Sequence, residues 1–136
     1  MIVVDTNVLA ARCLYSTSTH LAKAVEQKDA VWITPYLWRY EFQNILAKAI
    51  WSEMLELPDA IKAWHIAVTQ IKANERDPSP ENVMKLVESS RITAYDATFV
   101  ALAQELSIPC ITEDKELCRK FPTFALRMED YINKIW

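Results

Sequence analysis

The sequence predicts an α/β fold: one domain, residues 1–136, with a parallel sheet of about five strands flanked by helices. Three observations predict it. Short runs of apolar residues alternate with longer segments of helical periodicity, as in strand–helix–strand units. The short runs are continuously apolar, as strands are when helices cover both faces of a sheet. The 136 residues are 51% hydrophobic and 24% charged, which suits a single domain with a core that needs no disulfide or metal staple.

The first strand is Ile2-Val3-Val4, followed at once by Asp5. A second apolar run occupies 31–34 and a third 109–112; weaker strand signals lie around 123–125 and near 75–77. Helical segments are predicted over 18–27, 35–54, 58–73, 80–89 and 93–106. Thr34-Pro35 and Ser79-Pro80 each place a capping residue before a first-turn proline. Thr93 and Asp96 have the spacing of a capping box, with Asp in place of Glu or Gln. Residues 74–80, with two prolines, read as a loop inside the domain. There is no internal repeat and no low-complexity stretch.

The chain contains no glycine. That excludes a dinucleotide-binding GxGxxG loop, a Walker A loop and a GxSxG elbow, each of which needs glycine for close approach or a strained turn. Helix ends are therefore expected to rely on Asn, Asp, Ser or Pro. No basic segment leads into a long apolar run, so no signal peptide is expected, and no stretch approaches the ~18 apolar residues of a membrane span. Cys13, Cys110 and Cys118 form neither a CxxC pair nor a disulfide framework, which points to small core residues in a reducing cytoplasm. A net charge of −3 counts against a simple basic nucleic-acid binder, less so if bound cations offset an acidic site.

Four carboxylates stand out. Asp5 follows the first strand, and ligands of open α/β sheets bind at the carboxyl ends of strands. Asp114 follows the third strand at the same expected edge. Asp96 opens the helix leading into that strand. Glu41 lies within the 35–54 helix, sharing a mostly apolar face with Leu37, Trp38 and Ile45. A carboxylate there is costly unless it is paired or coordinates a cation. Each acid also has a structural reading. Asp5 and Asp114 can cap the segments they precede, Asp96 can partner Thr93, and Glu41 can pair with Arg39, Asn44, Lys48 or a distant arginine. Taken together they can converge on one sheet edge. Clustered carboxylates suit hard cations such as Mg²⁺ or Mn²⁺, which activate water and stabilise a phosphodiester's leaving oxygen. No protein nucleophile is evident: Ser16, Ser18 and the cysteines lack a motif, and His20 and His65 read as helix-surface residues.

These residues resemble the PIN-domain ribonucleases, and among them the VapC-type toxins of type II toxin–antitoxin pairs. Ile2-Val3-Val4-Asp5-Thr6-Asn7 matches the first motif. Glu41 with Asn44, Ile45 and Leu46 matches the second. Tyr95-Asp96-Ala97, continuing through Ala101-Leu102-Ala103, matches the third, and Ile111-Thr112-Glu113-Asp114 the fourth. The order holds over nearly the whole chain. The resemblance implies a three-layer fold, Mg²⁺ or Mn²⁺ at Asp5, Glu41, Asp96 and Asp114, and supporting roles for Thr6, Asn7 and Thr112. It also implies cleavage of single-stranded or looped RNA (often tRNA), an antitoxin whose tail covers the site, and a homodimer. Glu113 and Glu116 add acids beside Asp114.

Arg12, Arg39, Lys48, Lys115, Arg119 and Lys120 are candidates to meet phosphates, although such charges are usually solvated helix faces. Tryptophans 38, 51, 64 and 136 are expected mostly in the core or an interface. Two other readings compete. One is a catalytically silent PIN-like module that binds RNA or protein. The other is an aspartyl-phosphate phosphatase, which usually wants a second Asp where Asn7 stands.

Overall fold

The structure, a computed structural model, describes residues 1–134. Four strands are present: β1 (Ile2–Val4), β2 (Trp32–Ile33), β3 (Cys110–Ile111) and β4 (Ala125–Leu126). They pair in the order β2-β1-β3-β4, all parallel, with Val3 opposite both Ile33 and Cys110. In place of a fifth strand near 75–77 there is one parallel bridge, Thr34 to Glu75. Around the sheet lie α1 (Thr6–Cys13), α2 (Thr19–Lys28), α3 (Trp38–Trp51), α4 (Leu57–Ile71), α5 (Pro80–Ser90), α6 (Ala94–Leu106), α7 (Lys115–Lys120) and α8 (Met128–Asn133).

The period-two geometry of β1 divides the core. Ile2 and Val4 face a cluster built from α1 to α4 and α8, including Leu9, Val25, Trp38 and Phe42. Val3 faces the other way, against Ile33, Cys110 and the Phe99, Leu102 and Ala103 side chains of α6. These are the three layers of helix, sheet and helix. All three β1 side chains are essentially inaccessible, each stabilising the fold by roughly 1.5–3 kcal/mol. A third cluster joins Val100 to Leu117 of α7, to Phe121 just beyond that helix and to Ala125 of β4.

β1 lies between β2 and β3, so the chain leaves β1 in one direction and returns from β3 in the other. Right-handed crossovers then put α1 and α2 on one face and α7 on the opposite one. The carboxyl ends of β1 and β3 become the switch point of the sheet, where such folds open a crevice.

Several expectations are corrected. Thr34 caps nothing: its N–H donates to the Asn74 carbonyl (3.2 Å) and its carbonyl accepts from Arg76 N–H (3.0 Å), while its buried hydroxyl has no partner among the described residues. The chain turns through Pro35–Leu37 before α3 begins at Trp38. Ser79 does stand at the N-cap of α5 with Pro80 first in the helix, but its hydroxyl donates to Glu81 (2.6 Å) rather than capping. Thr93 caps α6, accepting from Asp96 N–H at 3.2 Å. Helices α4, α5 and α6 end on Lys72, Arg91 and Ser107 in left-handed conformation, and Glu53 and Ala73 also have positive φ. Ser107 fits the expectation for a glycine-free chain; the other four do not. Trp32 and Trp38 are buried, Trp64 is half-buried, Trp51 is 76% exposed, and Trp136 lies outside the described residues. No helix among the described residues is long and apolar enough to cross a membrane.

Candidate active site

Asp5 occupies the N-cap of α1, immediately beyond β1. Its N–H donates to the Ile111 carbonyl (2.9 Å), tying it to the end of β3. One carboxylate oxygen accepts from Thr6 N–H at 2.7 Å. The other accepts from the Thr112 hydroxyl at 2.7 Å and from the Asn7 amide at 3.3 Å. Asp114 occupies the N-cap of α7 and accepts from Glu116 N–H (2.9 Å) and Leu117 N–H (3.1 Å). The Thr112 hydroxyl also accepts from Asp114 N–H at 3.1 Å, so one buried side chain links the two aspartates.

Glu41 lies in the first turn of α3 and Asp96 in the first turn of α6. The partner of Glu41 is none of those its own helix offers. Thr6 donates to it from α1, at 2.7 Å. Arg39 is held instead by Glu75, through bonds of 2.5 and 2.6 Å, and Glu75 also accepts from the Trp38 indole at 2.9 Å. Four helix N-termini thus meet at one sheet edge, each carrying one carboxylate of the set. The positive ends of the helix dipoles offset part of the charge repulsion there.

The offset is incomplete. Burial raises the Asp5 carboxyl to about 6, its bonds to Thr112 and Thr6 pull it back, and Glu41 and Asp96 push it further up. Burial likewise raises Glu41, against the Thr6 bond and with Asp96 adding to the rise. Asp96 is raised by burial first and by Asp114 second. Asp5, Glu41 and Asp96 thus lie within electrostatic reach of one another, and Asp114 within reach of Asp96. Among the described residues none of the four takes part in an ion pair.

An all-oxygen set with surplus negative charge fits a hard divalent cation. A second observation pulls the other way. Among the described residues, no group of three or more His, Cys, Asp or Glu side chains is placed to hold a metal ion on its own. The two observations are compatible. Mg²⁺ usually keeps several waters and takes only one or two carboxylates, so a complete protein cage is not required. The donor set fits such an ion.

The neighbouring acids are engaged elsewhere. Glu113 accepts from Met128 N–H (2.8 Å) and pairs with Arg127 (3.0 Å). Glu116 pairs with Arg119 and Lys120. Of the basic candidates, Arg12 pairs with Glu26 in the last turn of α1, about 10 Å along the helix from Asp5. Lys48 and Lys115 are exposed. Both histidines are exposed. Burial pushes the Cys13 thiol up to about 12 and that of Cys110 well above its ordinary value, so neither supplies a thiolate.

Residues 2–121 match the family model described as the PIN domain. Among curated proteins, Exonuclease VapC9 of Pyrobaculum aerophilum is 26% identical over 110 residues, covering 81% of each chain. Among solved structures, PAE2754 from Pyrobaculum aerophilum aligns over 96% of this chain and 85% of its own, with a TM-score of 0.76 and 22% identity. At that identity the structural likeness speaks for the fold.

Proposed function

This chain belongs to the PIN-domain family, and from that premise we propose that it is a Mg²⁺- or Mn²⁺-dependent endoribonuclease, the toxin of a toxin–antitoxin pair. A nuclease role belongs to the family as a whole and to the name of the curated relative, Exonuclease VapC9. The observation that carries the finer reading is the convergence of Asp5, Glu41, Asp96 and Asp114 on one sheet edge, none of them in an ion pair among the described residues.

A hard divalent cation at such a site polarises a phosphoryl oxygen and lowers the pKa of a water molecule. The chain's own contributions are positional. Thr6 N–H and the Thr112 hydroxyl fix the two oxygens of Asp5, and the Thr6 hydroxyl fixes Glu41. Burial excludes water from one side of the cluster and strengthens its field. Without bound cations, that field repels a phosphodiester.

The reading predicts cleavage of single-stranded RNA with added Mn²⁺, none in excess EDTA, and none by Asp5→Asn or Asp96→Asn proteins that remain folded. Full activity in EDTA would overturn the metal mechanism. Protein that binds RNA yet never cuts it with Mn²⁺ would favour a silent module instead. The relative's name favours one further reading, exonuclease action. A circular RNA separates the two, because only an endonuclease opens it. A homodimer is proposed on the exposed Trp51, Leu57 and Ile61 side chains of α3 and α4, and sedimentation tests it.

A further inference from the structure

A groove of about 620 Å³ runs away from the acidic cluster between α1 and α3. Its lining includes Asn7 and Glu113, Leu14 and Tyr15 just beyond α1, Lys48 of α3 and Met54. We propose that this groove is a nucleobase subsite, in which Tyr15 stacks on a base of the strand whose phosphate lies at the carboxylates. The inference rests on the ribonuclease reading above and assigns that site a determinant of substrate binding.

Three observations carry it. The first is continuity. The Asn7 amide donates to Asp5, its carbonyl oxygen accepts from Glu113 N–H at 3.3 Å, and the same side chain lines the groove. A nucleotide adjoining a phosphate at Asp5 therefore has the groove as its neighbour. The second is chemistry. The walls are mainly aliphatic, formed by small or flexible side chains such as Ala11, Ala49 and Met128. Such walls suit a flat apolar face better than a hydrated phosphate. Tyr15, in the turn between α1 and α2, is 98% exposed. An aromatic ring held in solvent beside such a groove gains contact area when a base stacks on it, whatever the base. The third is charge. The carboxylates repel a polyanion, while Lys48 on the α3 wall is exposed and has no ion pair among the described residues. It supplies the cation a phosphate flanking that base requires.

The test is steady-state cleavage of a single-stranded RNA oligonucleotide with Mn²⁺, comparing the parent with Tyr15→Ala, Tyr15→Trp and Asp5→Asn. Tyr15 is almost fully exposed, so its replacement leaves the fold intact, which circular dichroism checks. Tyr15→Ala is expected to raise KM roughly tenfold, in keeping with the loss of one stacked base, with kcat within about twofold of the parent. Tyr15→Trp is expected to keep the parent KM. Abasic substitutions walked along the oligonucleotide should raise the parent's KM at one position, and Tyr15→Ala should be insensitive there. An unchanged KM in Tyr15→Ala, with cleavage still abolished by Asp5→Asn, overturns the subsite and leaves the nuclease reading standing. If Tyr15→Ala then dissociates a dimer, the groove belongs to a second copy of the chain. Absence of cleavage by the parent overturns both readings.

Discussion

Asp5 carries the largest electrostatic cost in the site, and that cost has a measurable sign. Its ordinary value of 3.8 is raised to about 6 in the folded chain, so the folded state holds a proton more tightly than the unfolded one. The associated stability is fully present below about pH 3.8 and is lost as pH rises through 6, reaching about 3 kcal/mol above that. Asp5→Asn removes the ionisable group. In metal-free buffer its Tm should therefore exceed the parent's at pH 8, and the difference should shrink towards pH 4. The comparison is made between the two proteins because other acids act in the opposite sense; Glu75, for instance, is lowered by its bond to Arg39. A parent that equals or exceeds Asp5→Asn at pH 8 would overturn the assignment. Thr112 invites a second experiment. Its hydroxyl donates to Asp5 and accepts from Asp114 N–H, so Thr112→Val disconnects both. Loss of such a supporting bond typically weakens metal affinity about 10–100-fold. Mn²⁺ titration of cleavage should show that loss for Thr112→Val and recovery for Thr112→Ser.

What could be read in the sequence follows how local each signal is. β1 is legible residue for residue because three consecutive apolar side chains end on an Asp. Residues 109–112 contain β3, although only Cys110 and Ile111 pair as strand. Helices α4, α5 and α6 are long enough for their periodicity to show. The short helices α1 and α8 are not, at eight and six residues. Glu41 is legible by its spacing against apolar neighbours, whereas its partner Thr6 lies 35 residues away and leaves no periodic trace. Glu75 is missed for the same reason. The bonds that make it an anchor for Trp38 and Arg39 span 37 and 36 residues. The left-handed helix ends show where a composition argument stops. Absence of glycine does not abolish the αL position; it forces Lys72 and Arg91 into it, at about 1–2 kcal/mol each. Arg91 is exposed at φ 53° and ψ 43°. Arg91→Gly should relieve that strain, less the additional backbone entropy of glycine, a net gain of about 0.5–1 kcal/mol. Thermal denaturation should show a rise of a few degrees without change in cleavage rate. A fall in Tm would mean that the arginine makes contacts outweighing its backbone cost.

On the proposed reading, folding and metal binding are coupled, because the sheet's switch point gathers charge that the helix ends only partly offset. Four chain segments distant in sequence meet there, and three of the four carboxylates are raised by burial and by their neighbours. A cation that binds the folded site stabilises it by mass action, by about 2.7 kcal/mol at a hundredfold excess over its Kd. The same binding requires deprotonated ligands. At pH 8 Asp5 is ionised and the cation removes an existing repulsion. At pH 5 it is protonated, and binding must first release that proton. Mn²⁺ should consequently raise the Tm of the parent more at pH 8 than at pH 5. In Asp5→Asn both the shift and its pH dependence should be much reduced. The measurement needs no RNA and no turnover, so it tests the metal site apart from the choice of substrate. A Tm indifferent to Mn²⁺ at both pH values would leave the acidic cluster without its cation, and the endoribonuclease reading without its chemistry.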